Sequence, residues 1–178
     1  MAYVRIPAAA TDAFDLDALK LHSNTVAWDG DGDIIQDQED AILVLMGRAS
    51  AAEVEAYCDI ALLRQTIVVD IAAGDPVILP VGPLAPDAVV TIDGEPIIGA
   101  VTAGRYPVLT FPDDITGTVT VSYTAGYGDD PADMPADLQL AILDNATKLF
   151  DLRGSGEGQQ GLSIAAARIC ARYRRVRT

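Results

Sequence analysis

The densest run of potential ligands lies near the N-terminus, in Trp28-Asp29-Gly30-Asp31-Gly32-Asp33 and the acids that follow it. Counted from Asp29, oxygen donors fall at positions 1, 3, 5, 7, 9 and 12: Asp29, Asp31, Asp33, the Ile35 carbonyl, Asp37 and Asp40. That is the spacing with which an EF-hand loop surrounds calcium. Two departures weigh against it. Position 6 is Ile34 where the loop needs glycine, and position 12 is Asp40, shorter than the bidentate Glu. The expected role is a polar loop that supplies caps to the next helix, with no metal bound. His22 is the one imidazole and has no second nitrogen, thiol or carboxylate at ligand spacing, so a surface or cap role is expected. Cys58 and Cys170 fall in separate helical segments without a CxxC pattern, and are expected as buried small residues.

Other chemistry fails its context tests. Gly154-Ser155-Gly156-Glu157-Gly158 is glycine-rich enough for a phosphate loop, but no GK[ST] follows and no strand directly precedes it. It reads as a flexible linker running to Gly161. A Ser-His-Asp or Cys-His arrangement would have to use His22, and no GxSxG, HExxH or Walker pattern appears. Carboxylates are numerous enough for a glycosidase-like pair, yet they sit in turns and caps where solvation accounts for them. Neither an enzyme nor a cofactor is expected.

Charge separates the chain into two electrostatic objects. The net charge is −14, from 26 acidic and 12 basic residues. Arg168, Arg172, Arg174, Arg175 and Arg177 lie in the last stretch, 168–178, which contains no acid; the remaining seven basic residues face all 26 acids, a formal −19. Such a body repels nucleic acid. The tail, with Tyr173 among its arginines, is able to contact phosphates and stack on bases. An acidic or carbonyl-lined protein groove suits it equally, because guanidinium binds carboxylates in two-point geometry.

The elements that must carry these residues follow from periodicity. A short helix is expected around Asp15–Asn24 and a longer one from about Gln36 to Tyr57, its core face formed by Ala41, Ile42, Leu45, Met46, Ala49, Ala52 and Tyr57. Short β segments follow: Arg64–Ile71, Pro76–Leu79, Ala88–Ile92, Glu95–Ile98, Val108–Phe111 and Thr118–Thr124. Asp93-Gly94 is a two-residue hairpin signal, and Asp113–Gly117 a second turn. In the last strand Val119, Val121 and Tyr123 share one face. Pro135 opens a helix whose stripe is Leu138, Ala141, Ile142, Asn145 and Leu149, widened by Leu140, Leu143 and Phe150. A last short helix spans Leu162–Tyr173. No apolar run approaches the roughly 20 residues of a membrane span, and no signal pattern opens the chain, so a soluble cytoplasmic product is expected. The fold class is α+β: a small helical bundle with an inserted antiparallel β-sheet or sandwich and an extended C-terminal helical arm. The expected divisions are 1–62 helical, 63–128 β, 129–153 central helix, 154–161 linker and 162–178 basic arm.

Tyr123-Thr124-Ala125-Gly126-Tyr127-Gly128, followed by Met134-Pro135-Ala136-Asp137-Leu138-Gln139-Leu140-Ala141-Ile142-Leu143, resembles the head–tail connector (adaptor) proteins of long-tailed bacteriophages and gene transfer agents. The ending Ala171-Arg172-Tyr173-Arg174-Arg175-Val176-Arg177 is similar to that family's P-Y-R-R-x-R finish. Val54-Glu55-Ala56-Tyr57 with Ala61–Thr66 matches more loosely. Cys58-Asp59-Ile60 departs from a Thr-Gly-Arg type turn, and the loop near residue 30 is unusually acidic.

The resemblance implies a virion neck protein, assembled in the bacterial host cytoplasm as a ring, generally of twelve copies, below the portal. Its C-terminal arm (Arg168, Ile169, Arg172, Tyr173, Arg174, Arg175, Val176 and Arg177) attaches to the portal protein, ordering only on docking. Its opposite side receives stopper or tail-completion proteins, and DNA passes through without specific binding. Two alternatives stand beside it: a small DNA-binding module using the arginine arm, and a β-domain that binds sugar or calcium through Asp29–Asp40.

Overall fold

A computed structural model describes residues 2–7, 11–25, 39–97, 100–102, 104–153 and 161–174. Among them are eight strands and four helices, in an α+β arrangement with two antiparallel sheets. The chain divides into two compact units, Met1–Thr11 with Asp59–Asp129, and Asp12–Cys58 with Asp130–Thr178.

The first unit is the β unit. Its strands are β1 (Tyr3–Pro7), β2 (Gln65–Ala72), β3 (Val77–Ile78), β4 (Val90–Ile92), β5 (Glu95–Ile97), β6 (Val101–Thr102), β7 (Val108–Leu109) and β8 (Thr118–Ala125). The larger sheet runs β1-β2-β8-β4-β5 and the smaller β3-β7-β6. The β2–β8 pair is its spine. There Ile67 faces Tyr123, Val69 faces Val121 and Ile71 faces Val119, all six buried. This is the alternation expected for the last strand, and cross-strand apolar pairs of this kind are the unit of sheet stability. Leu79, Val81, Leu109 and Phe111 join the same core. The Tyr123 hydroxyl sits within it, accepting from the Val81 amide (3.1 Å) and donating to the Val81 carbonyl (3.0 Å).

Asp93 and Gly94 form the expected hairpin, both in the left-handed region (φ 50° and 89°) that a two-residue turn requires. The Asp93 carboxylate also accepts from the Thr120 amide at 2.9 Å, fixing the hairpin to β8. The Tyr-x-Ala-Gly-Tyr-Gly motif has a geometric cause. The chain leaving β8 crosses Leu62–Arg64, with Tyr127 N donating to Leu62 O (3.2 Å) and Arg64 N to Gly128 O (2.8 Å). Gly126 has φ 129°, and a Cβ there would stand 2.5 Å from the Leu63 carbonyl oxygen. Only glycine permits that approach.

The second unit is helical: α1 (Leu16–His22), α2 (Asp40–Cys58), α3 (Ala136–Asp151) and α4 (Ile164–Cys170), with a 3-10 turn over Pro131–Asp133. Asp15 caps α1 by accepting from Ala18 N, and Asp130 and Asp133 form a reciprocal capping box on the 3-10 turn. In α3 the expected stripe is buried at Leu138, Ala141, Ile142 and Asn145 but only half-buried at Leu149; Phe150, expected to widen it, is buried, as is Ala146. Leu140, expected to widen that stripe, is exposed.

The expected core face of α2 is wrong. Leu43, Gly47, Ser50, Ala51, Val54 and Cys58 are buried. Ala41, Ile42, Leu45, Ala49 and Ala52 are exposed. Both faces are apolar, so periodicity cannot choose between them; particular tertiary contacts do. A Cβ on Gly47 would collide with the Phe14 ring, and Ser50 donates to the Ile142 carbonyl at 2.8 Å.

Candidate functional site

The site indicated by the sequence is the C-terminal segment, of which residues 161–174 are described. The expectation that it orders only on docking does not hold for them: α4 is packed into the helical unit, with Ala166, Cys170 and Tyr173 buried. The loop before α4 is anchored through Asn145, a fully buried side chain on α3. Its Oδ1 accepts from Ser163 N (2.8 Å), and its Nδ2 donates to Glu53 Oε2 on α2 (3.0 Å). The Ser163 hydroxyl donates to the Asp144 carboxylate and accepts from Ala166 N (3.0 Å), so Ser163 is the N-cap of α4. Lys148 Nζ donates to the Gly161 carbonyl at 2.8 Å.

The far end of the segment is held by Asp137. One of its oxygens accepts from the Tyr173 hydroxyl (2.6 Å), and the other pairs with Arg172 Nη2 (3.2 Å). The Arg174 guanidinium lies over the Tyr57 ring, 5.1 Å from its centre. Arg168 is exposed and Ile169 half-buried. Tyr173, expected among the residues that attach to the portal protein, makes an internal contact of this unit. Arg175, Val176 and Arg177 lie outside the described residues, as does the linker 154–160.

Cys58 and Cys170 are both free and buried, as expected, and they are neighbours. The Cys58 thiol lies 3.6 Å from the Cys170 carbonyl. It also hydrogen-bonds the Cys170 thiol, which draws that group below its ordinary pKa against the opposing effect of burial. No spacing in the sequence signals this pairing, because α2 and α4 meet only in the fold.

The structure brings Ser163, Asp144 and His22 into one cluster, yet in the wrong order for nucleophile activation. The carboxylate stands in the middle, bound to Ser163 on one side and 4.0 Å from His22 Nε2 on the other. A triad needs the imidazole next to the hydroxyl to take its proton. This arrangement caps a helix.

Of the acidic loop, Asp29, Asp31, Asp33, Ile35 and Asp37 lie outside the described residues. Asp40, its twelfth position, pairs with the buried Lys20 ammonium at 2.7 Å. That lysine already neutralises the carboxylate and opposes a cation beside it. Among the described residues no group of three or more His, Cys, Asp or Glu side chains is arranged to hold a metal, and no helix is long and apolar enough to cross a membrane.

In the β unit, Arg64 lies between Asp87 (2.6 Å) and Asp129 (3.1 Å), both exposed. Its hydrogen bond to Asp87 holds that carboxyl below its ordinary pKa, while Asp87 in return raises that of the guanidinium.

No protein-family model matches the chain, and no curated protein does. Solved structures share its fold over its whole length. The chain aligns with a component of the neck of an empty GTA (gene transfer agent) particle computed with C6 symmetry, at a TM-score of 0.77 and 22% identity, covering 100% of this chain and 97% of that one. A chain from the virion of a native GTA particle aligns at 0.75, and one from a native neck computed with C12 symmetry at 0.72, with the same identity and coverage.

Proposed function

We propose that this protein is a structural part of the neck of a tailed phage or gene transfer agent particle: an adaptor between the portal and the stopper or tail proteins, with no catalytic role. The observation that carries the reading is the alignment of the entire chain, both units included, with chains of neck assemblies. The sequence motifs support it from an independent direction, since the glycine of Tyr-x-Ala-Gly-Tyr-Gly is the one that the crossing beside Leu63 requires.

In this reading twelve copies form a ring matched to the portal, and the acidic body lines a channel along which DNA slides without adhering. The portal contact is made by the C-terminal arginines. Arg168 stands free of the carboxylate that engages Arg172, and with Arg175 and Arg177 it supplies the charge offered to the portal. Arg172 and Arg174 serve first to seat the segment on Asp137 and Tyr57. This use of two arginines within the chain also weakens the alternative of a DNA-binding arm, which the −19 body opposes.

The test is a triple charge reversal, Arg168→Glu, Arg175→Glu and Arg177→Glu, in particle-producing cells. The purified variant should melt as the wild type does, and the cells should accumulate DNA-filled heads without tails. Normal tailed particles would contradict the portal contact. Salt-dependent binding of the isolated wild-type chain to DNA, lost in the variant, would favour the DNA-binding module.

A further inference from the structure

Cys58 and Cys170 are the two cysteines of the chain, 112 positions apart, and each is the last residue of its helix. The fold sets these two helix ends against each other. Both side chains are fully buried. The Cys58 thiol stands 3.6 Å from the Cys170 carbonyl and hydrogen-bonds the Cys170 thiol, so the sulfurs are already neighbours. A second contact joins the same ends: the Arg174 guanidinium lies over the ring of Tyr57, the residue before Cys58. Among the described residues the pair belongs to no group of three or more ligands able to hold a metal. Its chemistry is that of two thiols.

The surroundings give the two sulfurs different roles. The hydrogen bond from Cys58 lowers the Cys170 pKa, against burial and the Asp137 and Glu53 carboxylates, which raise it. The thiolate is the nucleophilic form of cysteine, so Cys170 attacks and Cys58 resolves. Cys170 also lies on the element easier to displace, since α4 has 7 residues and α2 has 19. Local opening of so short an element costs less than global unfolding and admits a small oxidant.

We propose that Cys58 and Cys170 form a redox-sensitive dithiol, oxidised by hydrogen peroxide to a disulfide that staples α4 to the end of α2. The Cys170 thiolate attacks one peroxide oxygen and the O–O bond breaks. The departing hydroxide takes up the proton that the Cys170 thiol released and leaves as water, and Cys170 becomes a sulfenic acid. The Cys58 sulfur then attacks the Cys170 sulfur. The S–O bond breaks, and the hydroxyl leaves as a second water with the Cys58 proton. Two thiols are oxidised and one peroxide is reduced to two waters. The bond links residues 112 positions apart, a span over which a cross-link strongly restricts the unfolded chain. It also fixes the root of the arginine tail, because Arg172 and Arg174, seated on Asp137 and Tyr57, follow Cys170 closely. That last consequence rests on the neck reading, in which the tail is offered to the portal.

The experiment treats the purified full chain with hydrogen peroxide, unfolds it in iodoacetamide and maps the digested peptides by mass spectrometry. The expected product is a Cys58–Cys170 linked peptide from a monomeric chain, two hydrogens lighter than the two thiol peptides and reversed by dithiothreitol. Both cysteines alkylated, a disulfide between chains, or a sulfinic acid on either cysteine without the link overturns the inference. The second measurement is made on the linked chain. Its Tm should rise by about 5 °C or more, and the α4 amides should exchange hydrogen about tenfold more slowly, both reversed by dithiothreitol. A Tm that does not rise, or α4 exchange at the rate of the reduced chain, overturns the staple. These results stand apart from the neck reading, which is decided by the composition of particles.

Discussion

At the residue scale, Tyr123 shows how one side chain fixes a loop to a sheet. Its hydroxyl satisfies both the amide and the carbonyl of Val81 inside the core, where neither has water to turn to. Tyr123→Phe removes one oxygen and leaves two buried backbone groups without that partner, so unfolding free energy should fall by about 1–3 kcal/mol. Urea denaturation measures this; a loss of a few tenths would mean that the Val81 groups find other partners. The Arg64–Asp87 pair makes a pH prediction. The folded Asp87 carboxyl titrates below its ordinary value, chiefly through the Arg64 hydrogen bond. Its contribution is therefore complete above the unfolded carboxylate pKa of about 3.9 and is lost as pH falls through the lower folded value. Both groups are solvent-accessible, so the effect on stability is small and screened by salt. An NMR titration should show the Asp87 midpoint rising in Arg64→Gln; an unchanged midpoint would contradict the assigned cause.

At the element scale, α4 depends on a buried amide. Asn145→Leu keeps the volume but removes the acceptor of Ser163 N and the donor to Glu53, two partners in sequence-distant elements. A loss of about 1–3 kcal/mol is expected. The more specific sign is hydrogen exchange, which should accelerate in the amides of α4 before those of α3. Equal protection of α4 in variant and wild type would show that Asn145 is not its anchor.

The elements also show what a sequence can and cannot disclose. The β8 strand was legible because one of its faces is apolar and the other hydroxylated, and α3 because its stripe is bounded by polar residues. Asp93-Gly94 named its own turn. The correct face of α2 was hidden, since an apolar outer surface carries the same periodicity as an apolar inner one. Strand β1 was missed for the opposite reason. It turns Val4 and Ile6 to solvent while Arg5 faces the Ile67 side, with its guanidinium on the Ile60 carbonyl at 3.1 Å. Its partner strand lies far along the chain, so nothing local announces it. The seat of the C-terminal segment was illegible as well, because Asp137, Asn145, Asp144 and Glu53 converge only through α2–α3–α4 packing. Asn145 alone left a trace, as a polar residue on an apolar stripe.

At the scale of the whole molecule, charge divides the labour. The acids belong to a body that repels nucleic acid, and the arginines gather in the last stretch of the sequence. The account's central claim is that this chain is a stoichiometric part of a particle neck. It is tested most directly by quantitative peptide mass spectrometry on purified tailed particles, comparing copies of this chain with copies of the portal protein. The account predicts a ratio near one to one. Absence of the chain from intact particles would contradict it.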